Sequence, residues 1–344
     1  MTSPPPNDAT WRELTSWGVH GPDWDSLVGS AERPIPFLRR WWLDASASPR
    51  RRYLLVTRGS QLVGGAALDV DRVGGIRRVR FAGQGVLCPD HLDLLARPGH
   101  EGAVADAFAS WLQRLGPCVL DLDGLVPASL VSRAVGVESR RTETAPYGVL
   151  PGSGQQWMAE RSSSFRRSVR RSTKALAETG LRAERVGPDG VARALDDFEA
   201  LHATRPGRQD LLAEMGTLRA ALHAGLQHDE VWVHRLGDDD VTVAVSIAFV
   251  LGDRISLYQV ARSTDPDHDG AGTALLAHVI AAAADAGVGS ADLLRGGEDY
   301  KSSFVASAHE VHRIRAGRGR SGRAAVAAVE VAARSRRRLR ARLG

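Results

Sequence analysis

Apolar residues recur along this chain with two different periods, and together these periods predict an α/β protein. Alternation of apolar and polar positions, with β-branched and aromatic residues, predicts strands over Gln61–Val70 and Arg254–Ala261. Gly99–Leu115 instead carries its large apolar residues three to four positions apart, which is typical of a helix with one buried face. Ala271–Gly287 consists of helix-forming residues and ends at a glycine, so a second long helix is predicted there.

The remaining predicted elements follow a similar order in both halves of the chain. The first half is expected to contain, in order, Phe37–Asp44 (helix), Arg52–Thr57, Gln61–Val70 and Ile76–Phe81 (strands), Gly99–Leu115 (helix), Cys118–Leu122 (strand) and Leu130–Val135 (helix). The second is expected to contain a helix capped by Ser162 and ended by Gly180, helices Val191–Thr204 and Leu211–Leu226, strands Glu230–His234, Val241–Leu251 and Arg254–Ala261, helix Ala271–Gly287, and strands Ser290–Leu294 and Glu310–Arg315. This order predicts a tandem repeat of one α/β unit.

Breaks in the pattern suggest where the domains begin and end. Pro151-Gly152-Ser153-Gly154 is the best candidate for a linker. We therefore predict a disordered leader over residues 1–10, a first domain over 11–150, a second over 155–316 and a basic helical tail over 317–344.

One loop has the chemistry of a phosphate site. Acidic turn residues lead into Gly270 and Gly272 at the start of the predicted helix from Ala271. A helix start presents unpaired N–H groups, and glycines let a phosphate approach the backbone. The loop is not a dinucleotide fingerprint, because Leu275 replaces the third glycine. Asp265, Asp267 and Asp269 fit the first half of an EF-hand calcium loop. The twelfth position of such a loop is a bidentate glutamate, and here it is Leu276, so no metal is expected.

The segment from strand Arg254–Ala261 to Leu294 resembles the cofactor half of the GNAT acyltransferase superfamily. Ser164–Gly180 and Asp292–Phe304 are similar to the opening and closing segments of a GNAT group typified by CelD-like acetyltransferases, which is related to the Fem-type aminoacyl transferases. The resemblance implies tandem GNAT-like domains, each a mixed, mostly antiparallel sheet flanked by helices, with a basic C-terminal helix in addition. The first domain would be a degenerate copy without cofactor. Asp267 departs from the family, which usually has Gln or Arg there.

The resemblance also implies a set of cofactor-binding residues. In the family, the strand before the loop and the loop itself hold an acyl-CoA, with the pyrophosphate at the helix start. Acetyl-CoA or another acyl-CoA is therefore the expected co-substrate. Its contacts would come from Val260, Ala261, Gly270, Ala271, Gly272 and Thr273.

Acyl transfer from a thioester to an amine needs a group that removes the amine proton, donors for the oxyanion and an acid for the leaving thiolate. Glu298 and Asp299 are the candidate bases; Tyr300 is the candidate acid, with Tyr258 as the alternative. Glu298 and Asp299 could equally cap a short helix. In the family, the acid tyrosine stands where this chain has Phe304. The candidate substrate-binding residues are Lys301, Arg295, Asp292, Arg166 and Arg170, although Lys301 could instead form a salt bridge with Asp292 or Glu298.

Charge and cysteine content narrow the class of protein. The formal net charge is +5, and the cations cluster over Arg161–Lys174 and Arg313–Arg342. Such clusters suit phosphate-bearing partners or an acidic membrane surface. Cys88 and Cys118 are too few and too far apart to predict a zinc site or a disulfide framework. With no signal-peptide pattern and no apolar run long enough for a span, the protein is expected to be cytoplasmic.

These observations favour an N-acyltransferase that moves an acetyl or other acyl group from acyl-CoA to an amine of a small molecule, sugar or envelope precursor. Two alternatives stay open: a Fem-type transferase that takes an aminoacyl group from tRNA, and a GNAT-fold binding protein without catalysis. No specific nucleic acid is expected, because only Phe165 interleaves the cations of the basic helix. A weak membrane contact through the tail and the oligomeric state are left open.

Overall fold

A computed structural model describes residues 9–329 and residue 331. Most of the predicted leader, residues 1–8, and the end of the predicted tail, residues 330 and 332–344, lie outside the described part. The described residues divide into two compact units: unit 1 comprises those up to residue 142 and those from residue 311 onward, and unit 2 comprises residues 143–310.

Unit 1 begins with an edge strand and two helices, and continues with a sheet whose last crossover is a long helix. Its elements up to residue 142 are β1 (Ala9–Leu14), α1 (Gly21–Gly29), α2 (Arg40–Ala45), β2 (Arg51–Arg58), β3 (Gln61–Val73), β4 (Ile76–Phe81), β5 (Leu95–Ala96), α3 (Glu101–Leu115), β6 (Cys118–Leu125) and α4 (Leu130–Val135), with 3₁₀ turns at Gly18–His20 and Pro36–Leu38. Strand β7 (Arg140–Val149) then leads into unit 2.

In unit 2, helices both precede and follow the strand meander along the chain. After β7 come α5 (Gly154–Ala159), α6 (Ser163–Glu178), β8 (Arg182–Arg185), α7 (Val191–Ala203), α8 (Gln209–Ala213), α9 (Met215–Leu226), β9 (Val231–Gly237), β10 (Thr242–Leu251), β11 (Arg254–Arg262), α10 (Ala271–Asp285) and β12 (Ser290–Asp292), with 3₁₀ turns at Pro188–Gly190, Pro266–His268 and Asp299–Ser303. Strand β13 (Ser307–Arg318) returns to unit 1, and residues 319–329 are helical.

The two units share one strand pattern, which confirms the predicted tandem GNAT-like fold. In unit 1, β2, β3 and β4 form an antiparallel meander, β4 pairs with β6 in parallel across the α3 crossover, and β13 pairs with β6 antiparallel. In unit 2, β9, β10 and β11 form the meander, β11 pairs with β12 in parallel across α10, and β7 pairs with β12 antiparallel. Each sheet is mostly antiparallel and mixed, as predicted.

The last strand of each repeat is exchanged along the sequence. Strand β13 follows unit 2 in the chain but completes the sheet of unit 1, whereas β7 precedes unit 2 and completes its sheet. The predicted boundaries at 150 and 316 did not include this exchange, because pairing between strands far apart in sequence leaves no local signal.

The core of unit 2 lies between its meander and the helices α5, α6 and α10. Helix α10 is apolar around most of its surface, with Leu275, Val279 and Ile280 fully buried. Helix α6 contributes a narrower stripe of Phe165, Val169 and Leu176. Ser162 accepts a hydrogen bond from the Phe165 N–H and so caps α6, as predicted.

Most departures from the predicted elements are at short or broken segments. The predicted helix Leu211–Leu226 is broken at Glu214, whose backbone lies outside the helical region. Strands β1, β7 and β8 were not predicted, and the final strand is longer at both ends than Glu310–Arg315. Within the described residues, no helix is long and apolar enough to cross a membrane, and no group of three or more His, Cys, Asp or Glu residues is placed to hold a metal ion.

Candidate active site

Two parallel strands of unit 2 diverge and open a gap in the sheet. Strands β11 and β12 pair from Arg254 with Ser290 to Ser256 with Asp292, where β12 ends. Strand β11 continues to Arg262, and Leu293 instead donates its N–H to the carbonyl of Pro146 in β7. A polar backbone edge of β11 therefore faces open space beyond Ser256.

A β-bulge sits at the point of divergence. Ile247 of β10 pairs with Gln259, and the next residue, Ala248, pairs with Leu257, so Tyr258 is the extra residue on β11. A bulge interrupts the ladder and re-aims the neighbouring backbone groups. Tyr258 itself is buried and stacks on Phe249 with ring centroids 4.9 Å apart.

The glycine loop supplies a set of free amides at one end of this gap. Gly270 is the N-cap of α10 and has the left-handed φ of 80°, which favours glycine. The first intrahelical bond runs from the Ala274 N–H to the Gly270 carbonyl, which leaves the amides of Ala271, Gly272 and Thr273 without helical partners. No side chain caps this helix start. The arrangement is a site for an anion.

Both glycines also make room for neighbouring side chains. A Cβ on Gly270 would strike Ser172 of α6, with the Ser172 Cβ only 2.8 Å away. A Cβ on Gly272 would lie 2.9 Å from Cδ of Arg262. The basic helix α6 and the end of β11 therefore flank the loop, and Arg262 brings a positive charge to it.

The gap widens into a pocket of about 580 Å³ that is lined by β11, the glycine loop, the segment after β12 and the loop between α7 and α8. Its charged lining is mostly cationic: Arg205, Arg208, Arg262, Arg295 and Lys301 against Asp269 and Glu298. A pocket of this size suits a small ligand, and its charge favours an anionic one.

The segment after β12 is held by two buried side chains. The carboxylate of Asp292 accepts a hydrogen bond from the Leu294 N–H, and Leu294 has a left-handed φ of 53°. Lys301 is buried; its Nζ donates to the Arg295 carbonyl at 2.9 Å and lies 3.0 Å from a carboxylate oxygen of Glu298. Asp292 and Lys301 thus position the wall of the pocket.

Tyr300 and Glu298 carry opposite pKa shifts. Burial, followed by the nearby Glu298 carboxylate, raises the pKa of the Tyr300 phenol, although three arginines oppose this. Burial opposes ionisation of Glu298, but hydrogen bonds from its own N–H and from Lys301 outweigh it and lower the pKa of the carboxyl group. At neutral pH, Tyr300 can therefore donate a proton, and Glu298 is an ionised but weak base.

The structure brings most of the predicted site residues together. The predicted residues that line the pocket are Tyr258, Val260, Gly270, Gly272, Thr273, Arg295, Glu298, Tyr300 and Lys301. Ala261, Ala271 and Asp292 are buried behind the lining. The Arg166 guanidinium donates to the carbonyls of Ala159 and Arg161, and Arg170 is exposed on α6. Phe304 is fully buried and packs on Phe165.

Four charged residues of the lining were not predicted: Arg205, Arg208, Arg262 and Asp269. Arg205 and Arg208 flank Pro206-Gly207 between two predicted helices, and loops at such places often carry binding residues. That signal was present in the sequence. Asp267, the residue that departs from the family, is exposed and lies outside the lining, whereas its neighbour Asp269 lies within it.

Comparison with known families agrees with this geometry. Residues 163–302, from the first residue of α6 to the 3₁₀ turn that carries Tyr300 and Lys301, match the family described as "Acetyltransferase (GNAT) domain". The matched segment makes up less than half of the chain and is similar to a GNAT domain. The tandem fold predicted from the sequence is shared by solved structures.

Three solved structures show how widely this tandem fold is shared. FemX is similar with a TM-score of 0.63 and 10% identity, over 89% of this chain and 97% of its own. L-PGS from Bacillus licheniformis has a TM-score of 0.53 and 11% identity, over 80% of this chain and 86% of its own. The tandem GNAT protein from the clavulanic acid biosynthesis pathway has a TM-score of 0.50 and 13% identity, over 90% and 99% respectively. No curated protein sequence matches the chain significantly.

Proposed function

We propose that unit 2 is an N-acyltransferase that moves an acetyl or other acyl group from acyl-CoA to an amine. The observation that carries the proposal is the group of free amides at Ala271, Gly272 and Thr273, which lies at the edge of the pocket between the diverging strands β11 and β12. A pyrophosphate at these amides would direct the rest of an acyl-CoA along the unpaired edge of β11, toward the bulge at Tyr258.

In the proposed reaction, the amine nitrogen attacks the thioester carbonyl carbon, the new C–N bond forms and the C–S bond breaks. A free N–H on the edge of β11 near the bulge would stabilise the oxyanion. The leaving thiolate would take the proton of the Tyr300 hydroxyl, whose raised pKa keeps it protonated. The amine would lose its proton to Glu298 or to water held by it, with Lys301 fixing that carboxylate.

Unit 1 is proposed to bind no cofactor. Gly83 and Gly85 follow β4 as Gly270 and Gly272 follow β11, but helix α3 begins only at Glu101. The glycines of unit 1 therefore do not lie at a helix N-terminus, and no cluster of free helical amides is formed beside them. We expect one equivalent of acyl-CoA per chain.

Calorimetry with acetyl-CoA tests this proposal. Gly272→Glu adds bulk against Arg262 and a negative charge at the amides, so we expect binding to be lost. Gly152→Glu is the matched control, because a side chain there meets no atom within 4 Å. Unchanged affinity in a folded Gly272→Glu protein, or two equivalents of CoA bound by the native chain, would contradict the proposal.

The Fem-type alternative has one observation in its favour: α6, whose arginines are largely exposed, runs beside the glycine loop. Phosphate contacts from such a helix would give RNA binding that weakens steeply with salt. Tight binding of one aminoacyl-tRNA that persists at high salt, without affinity for acetyl-CoA, would favour that alternative.

Binding of acetyl-CoA without turnover on any amine would favour the third alternative, a GNAT-fold binding protein without catalysis.

A further inference from the structure

Three arginines of the pocket belong to no predicted role, and we call them the arginine row: Arg262, Arg205 and Arg208. Arg262 ends β11 and lies beside Gly272. Arg205 and Arg208 come from the loop between α7 and α8, on the two sides of Pro206-Gly207, and both are half-buried. One member of the row thus lies beside the glycine loop, and two come from a different wall of the pocket.

The row lines the same pocket as the proposed reaction centre. Arg205, Arg208 and Arg262 share this lining with Glu298 and Tyr300. Arg205 and Arg208 belong to the loop between α7 and α8, whereas Glu298 and Tyr300 belong to the segment after β12. The charges of all three arginines oppose the rise in the pKa of Tyr300, and the charge of Arg208 helps to lower the pKa of Glu298.

Within the described part of the chain, no carboxylate lies at ion-pair distance from any arginine of the row. Other arginines of unit 2 are paired: Arg219 contacts Asp196 and Glu199, and Arg235 contacts Glu184. Burial, and then the charges of Arg208 and Arg262, lower the pKa of Arg205. Arg205 and Arg208 are thus half-buried cations without an ion-pair partner among the described residues, which is unfavourable, and an anionic ligand would offset that cost.

The donor accounts for only part of this charge. A pyrophosphate at Gly272 would be next to Arg262, but Arg205 and Arg208 come from a different wall of the pocket. They share the lining with Glu298, where the amine of the acceptor must be for its proton to be removed. We infer that the acceptor carries an anionic group, a carboxylate or a phosphate, beside its amine, and that Arg205 and Arg208 hold this group. The inference rests on the proposed function of the same site.

This assignment gives the two arginines a positioning effect on the reaction. An arginine can bind a carboxylate or a phosphate through two parallel hydrogen bonds, which fixes the direction of the group as well as its place. The amine attached to that group would then be oriented toward the thioester rather than free to rotate. An acceptor without the anion would lose both affinity and orientation.

The test uses pairs of amines that differ only in the anion: β-alanine and propylamine, lysine and cadaverine, phosphoethanolamine and ethanolamine, glucosamine 6-phosphate and glucosamine. Binding of each to the native chain saturated with CoA is measured by calorimetry, and turnover of acetyl-CoA by release of its thiol. We expect at least one anionic member to bind at least tenfold more tightly than its counterpart.

The variants separate recognition of the acceptor from recognition of the donor. Arg208→Gln and Arg205→Gln should each reduce that preference at least fivefold while leaving acetyl-CoA binding within about twofold. Arg208→Glu should reverse the preference toward cadaverine over lysine, which general destabilisation would not do. Arg193→Gln is the matched control, because Arg193 is exposed on α7 and lies outside the lining.

Each outcome bears on one of the two proposals. If no anionic amine binds more tightly than its counterpart, or if the preference survives in both Arg→Gln variants, the inference is overturned. If these variants instead weaken acetyl-CoA and not the amines, the row holds the donor, which also overturns the inference but leaves the proposed function intact. An anion preference that depends on Arg208, without any acetyl-CoA binding or turnover, would support the inference and reject the proposed function.

Discussion

The side chain of Tyr300 lines the pocket and is partly exposed. Its partial burial and the Glu298 carboxylate raise the pKa of the phenol, so the hydroxyl stays protonated at neutral pH. If it protonates the leaving thiolate, Tyr300→Phe should lower kcat by about 10- to 100-fold with a smaller change in KM, because general acid catalysis contributes about 10²–10⁴-fold. Steady-state kinetics with acetyl-CoA measures this. Tyr258→Phe serves as the comparison, since Tyr258 is packed on Phe249. Native turnover in Tyr300→Phe and loss in Tyr258→Phe would transfer the role to Tyr258.

Asp269 places a carboxylate in the lining of a pocket that otherwise favours anions. It immediately precedes Gly270, so it would repel a pyrophosphate at the loop amides. Asp269→Asn is therefore expected to tighten acetyl-CoA binding by about threefold to tenfold, with the larger effect at low salt. Asp267→Asn is the control, because Asp267 is exposed outside the lining. Weaker binding in Asp269→Asn, measured by calorimetry, would show that Asp269 supports the loop instead.

At the scale of residues, the sequence predicted those members of the site that lie in recognisable motifs. Gly270 and Gly272 were found because a glycine at a helix start has a specific physical use, and Tyr300 because it follows the last strand of the motif. Arg205 and Arg208 were missed because they come from a loop remote in sequence, and only the fold brings them to Tyr300. Arginine is also so frequent in this chain that a single one carries little information.

At the scale of elements, the conformation of the segment after β12 requires a glycine at position 296, next to the Lys301–Glu298 ion pair. Gly296 has a φ of 128°, and a Cβ there would lie 2.7 Å from Nζ of Lys301 and against the Glu298 carboxylate. Gly296→Ala should reduce the free energy of unfolding by about 1–3 kcal/mol and displace the pair, because both the backbone and the contact are strained.

Gly297→Ala is the matched control for this prediction, since a side chain at Gly297 meets no atom within 4 Å. Urea denaturation at pH 7.5 compares the two variants with the native chain. Equal urea midpoints for all three proteins would mean that Lys301 and Glu298 rearrange without loss of stability. The pair would then not be needed to shape the pocket.

Elements with a strong local period were predicted well, and those defined by distant partners were not. Strand Ile76–Phe81 and helix Leu130–Val135 have the predicted bounds, and α6 begins after its predicted cap. Strand β7 was missed because its polar face gives no clear alternation, and it is defined by pairing with β12. The divergence of β11 from β12, which makes the site, is likewise a property of pairing and leaves no mark in either strand alone.

At the scale of the whole molecule, both units are built from the same order of strands, but only unit 2 places glycines at a helix start. The sequence predicted this asymmetry because it depends on the distance along the chain from Gly85 to Glu101, which is visible without a structure. The exchange of β7 and β13 between the repeats could not be predicted in the same way. It brings the part of unit 1 that follows unit 2 in the chain into the sheet of unit 1, where β13 pairs with β6.

Two buried histidines of unit 2 make the stability of the protein depend on pH. Burial, followed by Arg208 and Arg205, lowers the pKa of His202 to about 4. Burial, followed by His278 and Arg185, lowers the pKa of His234 to about 3. Neither ring has a hydrogen-bond partner among the described residues, so each is neutral in the fold. The unfolded chain takes up protons on both below a pKa of about 6.5, and their contribution is therefore complete above that pH and lost as the pH falls.

We therefore expect the free energy of unfolding of unit 2 to fall by about 2 kcal/mol between pH 6.5 and pH 5.5, close to 1 kcal/mol for each histidine. The carboxyl group of Glu298, whose pKa is lowered in the fold, adds a loss of the same sign only at lower pH, because its pKa in the unfolded chain is near ~4. Urea unfolding at pH 7.5, 6.5 and 5.5 measures the slope. The double variant His202→Leu, His234→Leu should abolish most of it, whereas His223→Leu, which changes an exposed histidine on α9, should not. A native chain whose unfolding free energy is the same at all three pH values would show that both rings find partners in the fold.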